Sequence, residues 1–244
     1  MAMAGSERRG GGIAMRAAAV WRTAWRGVAG GVARLLHELR RFRLSAQLHE
    51  REWSILSSDC VGGVMAHDLR LRFDSPTVNL FFDSNEGFVD YVAGLDYYRD
   101  AELLACGAAL RGDGREYPVA RLAGDGEHPE VVLHFLHYRT FEEAARKWRE
   151  RSRRLRPERL CVVMHVKELD RSLLDRFAAL PVVRKVILGY PASELEHPLF
   201  FKVSSLARFE PGRLLRYAGI TGRRYLDDFD YVAFLNDGMI RASR

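Results

Sequence analysis

The residues of this chain best suited to chemistry lie between Trp53 and Gly63. The segment predicts a short buried strand that ends at polar residues and a glycine pair. Ser58 and Cys60 are candidate nucleophiles, because the N–H groups and dipole of a following helix would stabilise a thiolate or an oxyanion. The alternative is structural: Ser58 and Asp59 would cap the helix, and Cys60 would pack in the core.

The candidate general bases are histidines near strand ends. The segment Glu130–Tyr138 predicts a strand on which His134 and His137 point to opposite faces, because they are three residues apart. His137, nearer the carboxyl end, is the better candidate base. His165, at the end of the predicted buried strand Leu160–Val166, is the reserve candidate. The candidate substrate contacts are Asp59, Gly62, Gly63, Asp68, Ser75, Asn79, Tyr138, Tyr190 and Lys202.

Sequence motifs of several common enzyme classes are absent. There is no GxGxxG after a strand, no GxxxxGK followed by Ser or Thr, no HExxH and no GxSxG. This disfavours dinucleotide oxidoreductases, P-loop NTPases, HExxH zinc enzymes and ordinary α/β-hydrolases. Cys60, Cys106 and Cys161 are far apart and form no CxxC pair, which argues against a disulfide scaffold and a cysteine zinc site. No metal site is expected, and a reducing, cytoplasmic setting is the simplest interpretation.

Buried strands alternate with helices along residues 51–244. The alternation predicts an α/β fold with a three-layer, mainly parallel, Rossmann-like sheet, whose strand ends would carry the site. Consecutive strands without a helix predict an antiparallel insert or edge. Asn79 is expected to be a buried amide within a strand, and Thr140 to open a charged helix with a capping box. Further strands are expected at Pro76–Phe82, Glu102–Cys106, Tyr117–Leu122, Lys185–Tyr190 and Leu199–Val203.

The formal net charge of +6 is concentrated near the N-terminus. Residues 1–51 hold ten arginines against three glutamates, a charge of +7, which leaves −1 for the remainder. A nearly neutral body disfavours nucleic-acid binding. Residues 1–12 predict a flexible tail, and residues 13–50 predict a basic, amphipathic helical arm in front of the α/β domain.

The arm carries one apolar stripe, with the arginines mostly off it. Its members follow one another at spacings of four and three: Trp21, Trp25, Val28, Val32, Leu35, Leu39 and Phe42. The stripe would pack on the body or on a second subunit, lie on an anionic membrane surface, or stay unfolded alone. No apolar run reaches about 18 residues, so no transmembrane helix is expected. Arginines also interrupt any secretory signal.

Three blocks of the sequence, in order, resemble a bacterial family found in exopolysaccharide and capsule biosynthesis loci. They are SSDCVGGVMAHDL, SPTVNLFF and HFLHYRTFEEAARKWRER, within residues 50–205. A more distant similarity is to capsule-locus acetyltransferases whose first strand ends in Gly-Asn-Cys. There Cys60 falls on the family's cysteine and Asp59 on its asparagine. Ionised aspartate cannot donate a hydrogen bond to an oxyanion, so Asp59 is expected to cap or to orient a neighbour instead.

The resemblance implies a three-layer α/β fold and a sugar or polysaccharide precursor as substrate. The expected function is acyl transfer to a sugar hydroxyl, with Cys60 or Ser58 as nucleophile, His137 as base and an acyl-CoA as a candidate donor. One alternative is nucleotide-sugar-dependent glycosyl transfer, for which the acidic run at residues 227–230 is a candidate metal motif or simply the start of the last helix. Another is a non-catalytic assembly protein docked through its arm. The expected location is the cytoplasm, including the inner face of the membrane.

Overall fold

The computed structural model describes residues 31–243, and the predicted tail and residues 13–30 of the arm lie outside that part of the chain. Residues 31–47 form helix α1. The helices that follow are α2 (Val61–Asp68), α3 (Asn85–Ala93), α4 (Leu95–Tyr98), α5 (Phe141–Ser152), α6 (Arg171–Ala179) and α7 (Tyr231–Asp237). Short 3₁₀ segments cover Pro157–Arg159, Arg213–Leu215 and Tyr225–Asp228.

A parallel sheet forms the centre of the body. Its strands are β1 (Ser54–Ser57), β6 (Leu160–His165), β7 (Arg184–Gly189) and β8 (Phe200–Lys202), in the order β1-β6-β7-β8. All three pairings are parallel, with Ser57 opposite Val163 and His165 opposite Leu188. The carboxyl ends of the four strands therefore share one edge, as the sequence predicts.

The remaining strands form a second, separate sheet. They are β2 (Phe81–Phe82), β3 (Leu103–Leu110), β4 (Glu116–Leu122) and β5 (Val131–His134), in the antiparallel order β2-β5-β4-β3. The predicted antiparallel portion is thus a four-stranded sheet of its own. The α/β class is confirmed, whereas the three-layer, Rossmann-like arrangement stays a prediction.

The parallel sheet is buried on both faces. Successive side chains of a strand point to opposite faces. Leu56 and Val162 join the hydrophobic cluster that contains the second sheet and helices α3, α5 and α6. Ile55 and Val163 join the cluster that contains α2 and α7. Burial on both faces explains why these strands are continuous apolar runs, and it leaves the carboxyl edge as the place for polar residues.

Side-chain caps fix where several helices begin. Thr140 Oγ1 accepts a hydrogen bond from the N–H of Glu143 at 3.2 Å, so the predicted N-cap of α5 is confirmed. The Glu143 carboxylate reaches the N–H of Arg139 rather than that of Thr140. Asp170 caps α6 in the same way by accepting from Leu173 at 2.8 Å.

Two predicted strands are shorter than the sequence indicates. The segment Pro76–Phe82 is mostly a turn and only its last two residues pair as β2. Asn79 has a positive φ of 70° and is exposed, so the expected buried amide is wrong. The strand expected at Glu130–Tyr138 ends at His134, because the chain turns there through a hydrogen bond from Leu136 N–H to the His134 carbonyl.

Helix α1 docks on the body through a polar contact at the end of α2. His37 is buried between the carboxylate of Asp68 (Nε2–Oδ1, 3.1 Å) and the carbonyl of Gly222 (3.0 Å). The opposite face of α1 carries the predicted apolar stripe, and it stays exposed. Packing of the stripe on the body is therefore wrong for these residues: Val32, Leu35, Leu39 and Phe42.

Candidate functional site

The turn after β1 is held by its own serines. Ser58 Oγ accepts a hydrogen bond from the backbone N–H of His165 at 2.9 Å, which ties β1 to the end of β6. Ser57 Oγ accepts from the N–H of Gly62 at 3.0 Å, and its hydroxyl donates to the carbonyl of Asp59. Both hydroxyls are engaged by backbone groups. The structure thus gives Ser58 a role in positioning β6 and provides no base beside its oxygen.

Gly62 is required where α2 crosses β1. A Cβ at Gly62 would lie 2.7 Å from the Cβ of Ser57, so a side chain there would force the helix or the strand to shift. A Cβ at Gly63 would lie 3.2 Å from Val78 Cγ1. Neither glycine lines the two cavities beside His165; Gly62 permits the close approach of α2 to β1, and Gly63 that of α2 to the turn at Val78.

Three polar side chains form a hydrogen-bonded chain along the carboxyl edge of the sheet. Asp59 Oδ2 lies 2.6 Å from His165 Nδ1, and His165 Nε2 lies 2.7 Å from the Tyr190 hydroxyl. They follow β1, end β6 and follow β7, which are adjacent strands. The His165 side chain is 6% exposed, so its ring has little freedom to leave this position.

The protonation pattern of this chain follows from its acceptors. A carboxylate can only accept, so Nδ1 of His165 carries a proton, and in the neutral ring Nε2 presents a lone pair. The Tyr190 hydroxyl donates to that lone pair. Burial, followed by the nearby charge of Asp59, raises the pKa of Tyr190 to about 12, so the phenol stays protonated. Asp59 therefore orients a neighbour, His165, which is one of the two roles expected for it from the sequence. With Nδ1 bound to Asp59, the Nε2 atom of His165 is placed to act as a base.

Two cavities lie next to the hydrogen-bonded chain of Asp59, His165 and Tyr190. One, of about 570 Å³, is lined by Ser58, Asp59, Cys60, His137 and His165, with Phe81 and Phe82 on its wall. The other, of about 680 Å³, is lined by Tyr190 and by charged residues, among them Arg171 at the start of α6 and Glu194 and Arg208 in loops. Lys167 and Phe209 line both. Asp59 and His165 thus line the first cavity, and Tyr190 lines the second.

Cys60 lines the first cavity but is poorly suited to nucleophilic attack. Burial and the adjacent Asp59 charge raise the pKa of its thiol to about 12. Its sulfur lies 3.8 Å from the Leu80 carbonyl oxygen, which stabilises the thiol and not the thiolate. The N–H of Val61 already donates to Asp59 Oδ1 at 2.9 Å, so the expected stabilisation by first-turn N–H groups is weakened.

His137 lies in an exposed turn on the wall of the same cavity. Partial burial, then the positive charge of Arg111, lower its pKa. No hydrogen bond joins it to Cys60 or to an orienting carboxylate among residues 31–243. The structure therefore favours His165, the reserve candidate, as the oriented base. The other strand histidine, His134, lies between Asp83 (3.1 Å) and the Tyr117 hydroxyl (3.3 Å).

Several candidate contacts lie away from both cavities. Ser75 is buried and contacts the Thr77 hydroxyl, which accepts from the N–H of Ser57 at 3.0 Å. Tyr138 donates to the Val78 carbonyl and accepts from Arg151 at 2.7 Å. These side chains support β1 and α5 and do not face a ligand.

The remaining candidates also have structural partners. Asp68 is buried under helix α1, where it binds His37. Lys202 pairs with Glu196 on the surface. Asn79 is exposed and adopts a positive φ in the turn before β2. None of the three lines a cavity near His165.

The acidic run of the C-terminal segment is used in packing. Asp227 is buried and accepts from the Tyr231 hydroxyl at 3.1 Å, Asp228 accepts from Ser205 N–H, and Asp230 caps α7. Among residues 31–243 no group of three His, Cys, Asp or Glu side chains is arranged to hold a metal ion. Nor does that stretch contain a helix both long and apolar enough to cross a bilayer.

Two residues that line these cavities could not be identified as functional from the sequence. Phe209 packs against the rings of His165 and Tyr190, each at a centroid distance of 5.7 Å. Arg208 lies beside it on the second cavity. Both come from an irregular loop, where no periodicity or motif marks a residue as functional.

Comparison with known proteins identifies the family to which this chain belongs. A protein of Haemophilus influenzae, described as uncharacterized, is 31% identical over 201 residues, which cover 79% of this chain and 88% of that protein. The model of a family described as a domain of unknown function, DUF1919, matches residues 32–236, from helix α1 to helix α7. The chain belongs to the DUF1919 family.

Proposed function

We propose that this chain is an enzyme of surface-polysaccharide biosynthesis that transfers an acyl group directly to a sugar hydroxyl, with His165 as general base. The observation that carries the proposal is the hydrogen-bonded chain from Asp59 through His165 to Tyr190. A buried histidine with its Nδ1 bound to a carboxylate is the arrangement used to deprotonate an alcohol.

The reaction follows from the direction of these hydrogen bonds. A sugar hydroxyl in the second cavity donates to the Tyr190 oxygen, and its own oxygen attacks the carbonyl carbon of a thioester. As the new C–O bond forms, the sugar's proton passes to Tyr190, and the Tyr190 proton passes to His165 Nε2. The C–S bond then breaks, and the leaving thiolate recovers the proton from His165 by the reverse path. Asp59 stabilises the imidazolium in between.

Direct transfer is favoured over an acyl-enzyme by the state of the nearby nucleophiles. A thiol with a pKa of about 12 is almost entirely protonated at neutral pH. The Ser58 oxygen accepts the N–H of His165, and its hydroxyl lies 3.4 Å from the His165 carbonyl oxygen, so its hydrogen bonds go to backbone groups. The base expected at His137 is therefore reassigned to His165, and Cys60 becomes part of the cavity wall.

The identity of the substrates rests on the sequence resemblance. The three blocks that resemble a family of exopolysaccharide and capsule loci support a sugar or polysaccharide acceptor. An acyl-CoA is the candidate donor because it supplies the thioester that the reaction needs. In the same proposal the parallel sheet and its helices form a three-layer, Rossmann-like domain in the cytoplasm.

The test is a continuous assay of thiol release from acyl-CoA donors in the presence of a panel of sugars. Removing the base should lower the rate by about 10²–10⁴-fold. We expect losses of that size in both His165→Asn and Tyr190→Phe, because the sugar's proton reaches His165 through the Tyr190 hydroxyl, and near-normal rates in the matched controls His137→Asn and Cys60→Ala. Intact-mass spectra should show acylated sugar and no acyl-protein adduct.

Three results would contradict the proposal. Full activity in His165→Asn would show that His165 is not the general base. An acyl adduct lost in Cys60→Ala would restore a covalent route through the thiol. Consumption of a nucleotide sugar instead of acyl-CoA, dependent on His165, would assign the same base to glycosyl transfer.

A further inference from the structure

Helix α1 presents two different faces. One side docks on the body, where Ala33, His37, Ser45 and, just after the helix, Leu48 are buried. The opposite side turns an apolar ridge to solvent. Leu35 and Phe42 are each 63% exposed. The ridge consists of Val32, Leu35, Leu36, Leu39 and Phe42.

A contiguous apolar ridge on a docked helix is a marker of an interaction surface. Helices normally turn such residues towards the core, because burying a large apolar side chain contributes to stability. Here the helix satisfies its contact with the body through a polar cluster around Asp68 and keeps the ridge outside. Among the described residues the ridge has neighbours at its flanks, where the Arg70 guanidinium lies 5.8 Å from the Phe42 ring centroid and Leu36 adjoins Gly222, and most of its apolar surface stays exposed.

The sequence before α1 continues the ridge with residues suited to a membrane surface. Trp21, Trp25 and Val28 precede Val32 at spacings of four and three, and tryptophan favours the boundary between lipid headgroups and acyl chains. Between residues 8 and 37 there are six arginines and no acidic residue. Glu38 is exposed within α1 and pairs with Arg41, and residues 8–49 hold nine arginines against this one glutamate. An apolar stripe beside a strongly cationic set of side chains is complementary to an anionic bilayer.

We propose that the ridge of α1 docks the protein on an anionic membrane surface. The charge of this region decides between the bilayer and a second copy of the chain. Two N-terminal segments of residues 1–51, each with a net charge of +7, repel each other, whereas anionic headgroups attract them. The face that meets the membrane is the one opposite the His37–Asp68 contact, so docking leaves the body in place.

The experiment is co-sedimentation of the full chain with vesicles of phosphatidylcholine alone or mixed with phosphatidylglycerol. We expect at least about tenfold stronger binding to the anionic vesicles, weakening as salt is added. The variant Leu35→Glu/Leu39→Glu should lose at least about tenfold in binding. Val183→Glu is the matched control, because Val183 is 88% exposed and lies just before β7.

Tryptophan fluorescence supplies a second readout. The chain has four tryptophans, of which Trp53 and Trp148 are buried in the body. A blue shift on adding anionic vesicles therefore reports Trp21 and Trp25. We expect the shift in the wild type and in Val183→Glu, and its absence in Trp21→Ala/Trp25→Ala.

The proposal is overturned if the wild type fails to bind anionic vesicles. It is equally overturned if Leu35→Glu/Leu39→Glu, shown by its melting curve to be folded, binds as well as the wild type. A wild-type dimer that becomes monomeric in the same variant, without lipid binding, would assign the ridge to a second copy. Lipid binding needs no substrate, so its failure is distinguishable from failure of the acyl-transfer assay.

Discussion

Replacing Asp68 by asparagine tests whether the polar cluster beneath α1 holds the arm on the body. The Asp68 side chain is 1% exposed and accepts hydrogen bonds from His37 at 3.1 Å and His67 at 3.2 Å. Arg41 and Arg224 lie 3.7 and 3.8 Å from its carboxylate. Asparagine keeps the shape of the side chain but removes the negative charge that these four groups share.

The cost of this change can be worked from the environment of the carboxylate. Burial by itself would raise the pKa of Asp68, but the hydrogen bond from His37 and the charge of Arg224 outweigh it and hold the pKa below its usual value. Removing one member of a buried ion pair costs about 3–5 kcal/mol, because the partner charge loses its compensation. The side chains of Arg41 and Arg224 are 13% and 14% exposed, so solvent compensates them in part. We therefore expect a loss of about 3 kcal/mol.

Urea unfolding followed by circular dichroism measures this loss. Asp175→Asn is the control, because Asp175 makes an exposed pair with Arg171 and its removal should cost less than about 0.5 kcal/mol. Limited proteolysis should also cut Asp68→Asn faster within residues 31–47. A loss below about 1 kcal/mol in Asp68→Asn would show that the cluster does not anchor the arm and would refute the reasoning.

Three further predictions follow from burial and charge. Iodoacetamide at pH 8 should label exposed Cys106 much faster than Cys60, whose pKa is raised to about 12; equal rates by peptide mapping would contradict the burial of that thiol. Gly62→Ala should cost about 1–3 kcal/mol in unfolding free energy and Gly63→Ala less, because their new Cβ atoms would meet neighbours at 2.7 and 3.2 Å. Because the folded pKa of Asp68 is lowered, its contribution is present above the usual value of 3.8 and is lost as the pH falls through the folded pKa. Acid should therefore destabilise the wild type more than Asp68→Asn, and parallel pH curves would contradict the lowered pKa.

The sequence predicts the parallel sheet well because its strands are apolar on both faces. The runs at Leu160–His165 and Arg184–Gly189 have no polar alternation, which is typical of buried parallel strands. Pro76–Phe82 shows the limit of the same pattern. Its apolar residues are buried by a turn, of which Pro76 and Asn79 are the local signs, because proline and asparagine are common turn residues.

The pairing of Asp59 with His165 is not visible in local patterns. The two residues are 106 positions apart, and the whole second sheet lies between them in the chain. Only the adjacency of β1 and β6 brings them together, and adjacency is a property of the tertiary fold. Sequence reasoning could place each residue at a strand end, and it preferred His137 because His137 lies near the carboxyl end of a predicted strand, next to Tyr138 and Arg139.

Helix α2 connects the two regions to which roles are assigned here. Its first residue, Val61, donates to the carboxylate of Asp59, and its last residue, Asp68, binds His37 of α1. Eight helical residues span about 12 Å, so the site and the anchor of the arm lie at opposite ends of one short rigid element. If α1 rests on a membrane, this helix holds the cavity beside His165 at a fixed distance from the lipid surface. Such a distance suits an acceptor sugar that is itself carried on the membrane, which the acyl-transfer assay can test by supplying the sugar on vesicles.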